Sequence, residues 1–352
     1  SEFGPIIDTY TMRDAVADGA VVPLIYEGRL IKPDMDEKAL DTWFDRMTAD
    51  LTDAQQADLK RKYAQAHMLG KLDKVIQCRA YDISEHFRAN FKGTGLKAQL
   101  VAPSKLAAIK YKSVLDEIGH VSSEVLISSP DTREGHGAVD EAKAADEVVA
   151  FWQQMMTRFG DEEKYNEYLI NQFKYGDDPE IIIVVSKLLT GFDAPRNTVL
   201  YLTRPMREHN LLQAIARVNR VLDSDGDEFN TDKEEGYIID YDGVLEDLGN
   251  AFSHYDSLAG YDEKDLEGLM RDVGELLDHL PQTHSHLWDL FQSLDGNADS
   301  EAYEVFLADD AIREDFYGRL TAYSKALVAA LGAAKFYDLT PETEIHRYKR
   351  DL

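Results

Sequence analysis

The stretch IIIVVSKLLTGFDAPRNTVLYLTRPMREHNLLQAIARVNR, residues 181–220, decides the fold. It opens on Ile181–Val185, five apolar residues in a row. A run of that length reads as a strand buried on both faces of a parallel sheet. Thr198–Leu202 reads as a second such strand, Asn210 to about Leu222 as a helix, and Tyr237–Asp240 as a third strand. Upstream, Lys97–Ala102 reads as a strand, Ser104–Ile118 as a helix and Val125–Ser128 as another strand. Strand–helix–strand alternation from 97 to 242 predicts an α/β fold with a parallel sheet of five or six strands.

Outward from this centre the pattern becomes helical. Asp14–Asp18 reads as a short helix ended by Gly19, and Val21–Tyr26 as a strand that Pro23 assigns to a sheet edge. Leu40, Trp43, Phe44 and Met47 recur at helical spacing, and a further helix is expected from Gly70 to Asn90. Residues 130–147, polar with Gly135 and Gly137, read as a mobile loop, and 148–174 as helical. Asp223–Glu235 reads as an exposed acidic loop, and the chain beyond 245 as helical and acidic. Ser1–Pro5 reads as a cloning scar, which makes a piece of a longer protein the expectation.

The chain has 352 residues, 44% hydrophobic and 30% charged, enough for about two globular domains. No apolar run approaches the length of a membrane span, and the one cysteine, Cys78, excludes an internal disulfide, so a reducing cytoplasmic setting without a membrane is expected. Sixty-six acidic against 38 basic residues give a formal charge of −28. By charge alone such a chain repels nucleic acid unless its cations are gathered in one place.

Two segments carry chemistry. Thr190-Gly191 offers a hydroxyl and a closely approachable backbone, and Asp193 an acceptor for a sugar hydroxyl; the bland alternative is a tight turn. Gln213, Arg217 and Arg220 are spaced to share one helical face, and paired guanidinium groups beside an amide suit a multiply charged phosphate; the bland alternative is a solvated basic face. Glu141-Ala142-Lys143 after Asp131 loosely matches a metal-dependent nuclease pattern, but on a polar loop it reads as a decoy. His284-Ser285-His286 reads as a surface turn.

LLTGFDAP (188–195) resembles motif V of superfamily 2 helicases and translocases, and QAIARVNR (213–220) resembles motif VI, with Ala216 where glycine is usual. With LYLTRPMREHNLLQ (200–213) and RDAVADGAVVPLIYEGR (13–29), these strings resemble the restriction (motor) subunit of type I restriction–modification enzymes over most of residues 10–270. Ser186 stands where many relatives have an acidic residue. The resemblance implies a RecA-like parallel sheet flanked by helices, with additional mostly helical N-terminal and C-terminal segments. It divides the chain into the scar at 1–5, a linker strand and helical segment at 6–95, a second RecA-like domain at 96–250, and part of a helical domain at 251–352.

The same resemblance implies roles. ATP and Mg²⁺ would be bound mainly by an upstream RecA-like domain, because this chain has no G-x-x-x-x-G-K-[ST] loop and no D-E-x-H box. Arg217 and Arg220 would be arginine fingers, with Arg220 the better candidate for direct contact, and Gln213 would orient near the γ-phosphate. Asp193 and Gly191 would sit at the nucleotide, while Thr190, Gly191, Ser104 and Lys105 would contact DNA. Implied partners are double-stranded DNA, the methylase and specificity subunits, and the upstream RecA-like and nuclease domains. This chain alone is expected to be inactive. Lys97, Lys105, Lys110, Lys112, Arg204 and Arg207 would gather as a basic track around the α/β unit, which answers the charge paradox in part. The competing readings are the same half of another superfamily 2 motor and a non-catalytic acidic interaction module.

Overall fold

The computed structural model describes residues 12–29, 71–130, 139–189, 193–204, 206, 208–222, 233–242, 270–294 and 300–351. The helix expected around Leu40–Met47 lies outside them, as do Asp131 and most of the acidic loop after Leu222. The chain divides into two compact units, 1–270 and 271–352.

In the first unit the order is α1 (Met12–Ala17), β1 (Leu24–Gly28), α2 (Lys71–Asn90), β2 (Lys97–Val101), α3 (Lys105–Ile118) and β3 (Ser123–Leu126). Then come α4 (Val139–Phe159), α5 (Glu162–Tyr175), β4 (Ile181–Val184), β5 (Asn197–Leu202), α6 (Glu208–Val218) and β6 (Gly236–Asp240). The sheet order is β3-β4-β2-β5-β6-β1. The pairings among these six strands are parallel. This is the expected α/β arrangement, a parallel sheet flanked by helices.

The apolar run at 181–184 works as its pattern demands. Ile181 and Ile183 join Ala98, Leu100, Val199 and Tyr201 under α2 and α3, while Ile182 and Val184 join Val101, Leu200 and Leu202 under α5 and α6. Alternate side chains point to opposite faces, and both faces are covered. Helix α3 is delimited chemically. Ser104 caps α3 by accepting from the Ala107 N–H at 3.1 Å, and Gly119 ends it in the left-handed region at φ 73°.

Two expectations are corrected and one is refined. β1 starts one residue after Pro23 and pairs with β6, as the last of the six parallel strands. Proline needs no ladder donor there, and its carbonyl instead accepts from Gly236 N–H at 2.9 Å. The loop expected to 147 ends at Val139, where α4 begins, so Glu141 and Lys143 are on a helix. The basic track is largely spent on structure. Lys97 is buried and donates to the carbonyls of Asp177 and Pro179, Lys110 pairs with Asp73, Lys112 with Asp116, and Arg204 donates to Val185 O at 2.7 Å.

A buried polar cluster joins β1 to α2. Arg29 bridges Glu27 at 2.8 Å and Asp82 at 3.0 Å, and the Tyr241 hydroxyl donates to Asp82. His86 Nδ1 lies 2.7 Å from the Tyr201 hydroxyl. Burial, and then the nearby Arg29, hold the His86 pKa well below its ordinary value. The unfolded chain therefore takes up a proton near pH 6.5 that the folded chain refuses, and stability falls as pH drops below that value. The expected slope is at most about 1.4 kcal/mol per pH unit for this group. Urea midpoints between pH 7.5 and 5.5 should show it, and His86→Asn should flatten it; an equal slope in the variant would assign the effect elsewhere.

The second unit holds α7 (Val273–Asp289), α8 (Ser300–Phe306), α9 (Asp310–Gly332), α10 (Ala334–Leu339) and α11 (Glu342–Arg350). His284-Ser285-His286 is a helical segment of α7, not a turn. His284 Nε2 meets Asp351 at 3.0 Å and its ring packs on Tyr323 and Tyr348, which places it in a core contact. No group of three or more metal-ligating side chains occurs among the described residues. No helix among them is long and apolar enough to cross a membrane.

Candidate functional site

A parallel connection must carry the chain from the end of one strand back to the start of the next. Residues 185–196 do this between β4 and β5. They begin at the carboxyl edge of the sheet and finish at its amino edge. Asp193, four residues before β5, therefore lies at the amino edge rather than beyond the strand ends where the general rule for α/β ligands places it. Leu188 enters this connection with φ 63°, an uncommon backbone for a side chain of its size. Thr190 and Gly191 lie outside the described residues.

Helix α6 runs back across the sheet between β5 and β6, so its C-terminus also reaches the amino edge. Arg217 is in its last turn. Arg220 is not on the helix: it lies two residues past Val218, in an antiparallel bridge with Val21. The expected shared helical face holds for Gln213 and Arg217, four apart, while Arg220 is aimed by the bridge. Its guanidinium forms an ion pair with Asp193. The two sequence segments thus meet in space.

Asp193 and Arg220 line a pocket of about 570 Å³ with Ala20, Val21, Pro195 and Asn219. Their side chains are 57% and 39% exposed. An ion pair that open contributes about 0–1 kcal/mol, so a more highly charged anion can displace the carboxylate. Arg217 feels both of these charges. Burial and then the Arg220 charge lower its pKa, with Asp193 opposing. Two cations held near each other beside one exposed acid make an arrangement suited to a polyphosphate.

Ser104 and Lys105 are elsewhere. They follow β2 at the carboxyl edge, with the Ser104 hydroxyl engaged as a helix cap and Lys105 Nζ 2.5 Å from Ser129 O. The site residues thus separate into an anion-facing group at one edge and the Ser104–Lys105 turn at the other.

Lys233 is a residue that sequence reading missed. It is buried, and Nζ donates to Pro195 O at 3.0 Å and Asn197 O at 2.7 Å, pinning the turn after Asp193. Burial, and secondarily the Arg220 charge, push its pKa down to about 7. In sequence it is one cation in an acidic run, with no sign of burial. Lys233→Met strands two buried carbonyls and should cost about 1–3 kcal/mol in a urea titration. An unchanged midpoint would mean that water replaces the ammonium. Gly236, which starts β6, is required by a close approach: a Cβ there would lie 2.2 Å from Val218 O, so only glycine lets β6 run against the end of α6.

Residues 81–243 match the family model described as type I restriction enzyme subunit R domain 3, and residues 1–57 match that of the SWI2/SNF2 ATPase. The chain is 28% identical over 351 residues to the "Putative type I restriction enzyme MjaIXP endonuclease subunit" of Methanocaldococcus jannaschii, covering 93% of this chain and 30% of that protein. It is 29% identical over 283 residues to the type I restriction enzyme HindI endonuclease subunit of Haemophilus influenzae, covering 79% of this chain and 25% of that one. This chain therefore spans less than a third of either relative. The solved type ISP restriction–modification enzyme LlaBIII bound to DNA is 13% identical, covering 96% of this chain and 24% of that chain with a TM-score of 0.37, a likeness too slight to carry an argument.

Proposed function

We propose, from its similarity to the restriction subunits of type I restriction enzymes, that the chain supplies the second RecA-like half of an ATP-dependent DNA translocase. The half corresponds to residues 96–250, with β1 contributed from the 6–95 segment, and residues 251–352 would be part of a helical domain. The observation that carries the reading is the meeting of Asp193, Arg217 and Arg220 at one sheet edge, beside a pocket.

The donor set fits a triphosphate. Arg220 would bind the γ-phosphate as the finger, exchanging Asp193 for it, and Arg217 would reinforce the positive field from behind. Gln213, one helical turn back, would orient near the same group. Asp193 and Gly191 would then be free to meet the nucleotide sugar. ATP supplies the energy of a phosphoanhydride bond, and charge develops on its transferred group in a transition state that a guanidinium stabilises. Mg²⁺ and most nucleotide contacts would come from an upstream RecA-like domain, so this chain by itself should not hydrolyse ATP. Thr190, Gly191, Ser104 and Lys105 would touch the DNA backbone, contacts that position a motor without reading sequence. Sequence choice would fall to a specificity subunit, methylation to a methylase subunit, and cleavage to a nuclease domain, all in the cytoplasm.

The test is DNA-stimulated ATP hydrolysis by the full-length protein with Arg220→Ala and Arg217→Ala. Loss of turnover with ATP still bound supports the reading. Wild-type turnover in both variants would reduce these residues to a solvated basic surface.

A further inference from the structure

Arg220 is held from two directions, and the second is the chain's own N-terminal segment. Gly19, at φ 69°, turns the chain out of α1, and the N–H groups of Ala20 and Val21 donate to Ala15 O at 2.8 and 3.3 Å. The strap formed by residues 20–22 then lies along the exit of α6. Val21 bridges Arg220, and Val22 N–H donates to Asn219 O at 2.7 Å. Val22 and Asn219 are both buried, so water is a poor substitute for that bond. Val16 of α1 packs against the cluster that contains Leu211, Ala214, Ile215 and Val218 of α6, which roots the strap on the helix leading to Arg220. Immediately after the strap, Pro23 O accepts from Gly236 N–H. Ala20 and Val21 line the same pocket as Arg220.

We propose that the backbone of Val21–Val22 is the positioning element for Arg220, fixing where its guanidinium enters the pocket. The strap lies inside residues 1–57, the stretch similar to the ATPase family model. The finger on one half of the motor is thus aimed by chain that runs on from the other half, and a movement of that upstream segment reaches the finger through two residues of backbone. This inference rests on the finger role proposed above for Arg220.

The experiment measures kcat and KM for DNA-stimulated ATP hydrolysis by the full-length protein. Val22→Pro deletes the N–H and keeps an apolar side chain; Val22→Ala keeps the N–H and trims the side chain. A misplacement of about 1 Å at a reacting group costs up to about 10²-fold in rate. The expected result is a fall of that order in kcat for Val22→Pro with KM within about twofold of wild type, since turnover and not ground-state binding is affected. Val22→Ala, which keeps the N–H, should lose far less of kcat than Val22→Pro. A merely structural role predicts parallel losses of kcat and of the denaturation midpoint in both variants. Should Val22→Pro fail to fold, Gly19→Ala decides the matter. It strains the left-handed turn with nothing within 4 Å of the added carbon, and a reduced kcat at unchanged KM is expected. Arg220→Ala run alongside separates the two levels. If it falls while the strap variants turn over normally, the strap inference alone is overturned. If Arg220→Ala itself turns over normally, the finger reading falls and the strap with it.

Discussion

Arg220→Ala in the full-length protein should lower DNA-stimulated ATP hydrolysis by about 10³-fold, with ATP binding retained. That is about 4 kcal/mol of transition-state stabilisation, at 1.36 kcal/mol per tenfold. The reason for choosing Arg220 over Arg217 is geometric. Arg220 lines the pocket and pairs with Asp193 there, whereas Arg217 is not among the residues lining it. Arg217→Ala should therefore cost less, and part of its effect should be a shift of the other guanidinium. Arg220→Lys should rescue little, because an ammonium cannot present two parallel N–H groups to phosphate oxygens. Asp193→Asn is the informative companion: it keeps the shape, removes the competing charge and should leave the finger more available. A turnover in Arg220→Ala within a few-fold of wild type would sink the assignment, since a residue that leaves turnover intact stabilises no transition state.

The parts of the fold that could be read in advance are those fixed by local pattern. Ile181–Val184 has no polar face, which marks a strand buried on both faces, and its neighbours 98–101 and 199–202 are buried along their length as well. The assembly of Asp193 with Arg220 could be anticipated only through resemblance. Their contact depends on the 185–196 connection crossing the sheet and on Arg220 lying beyond the helix, and no periodicity encodes either. Buried charge was the least legible feature. Lys97, Lys233, Arg29 and Arg79 look like surface cations in sequence, yet each is buried and bonded to backbone oxygens or acids. Hydropathy treats a lysine alike whether its ammonium meets water or two carbonyls, so the basic residues counted toward a DNA track were overcounted. The start of β1 shows the limit of a local rule. Pro23 excludes a ladder donor at one residue only, and the strand begins just after it.

Arg29→Ala should destabilise the 352-residue chain by about 3–5 kcal/mol, read from urea denaturation at neutral pH. The Arg29 side chain is 6% exposed and lies between Glu27 and Asp82, whose side chains are 5% and 3% exposed. Burial on its own would lower the guanidinium pKa, but Asp82 and then Glu27 hold it well above its ordinary value. Deleting the cation leaves two buried carboxylates without its charge, the costly way to break a buried ion cluster. The pairing itself is a different quantity. Replacing Glu27, Arg29 and Asp82 together by Leu, Met and Leu removes the charges along with their desolvation cost, and should recover most of the lost stability. What the triple replacement should not recover is turnover. Glu27 and Arg29 lie on and just after β1, the strand that follows the strap, and Asp82 anchors them to α2, so the cluster tethers the strap from its far end. A triple variant with restored stability but lowered kcat would separate the cluster's role in aiming Arg220 from its role in folding. A single Arg29→Ala change costing under about 1 kcal/mol would instead mean that water reaches the two acids, and that the parallel pairing of β1 with β6 holds the strand unaided.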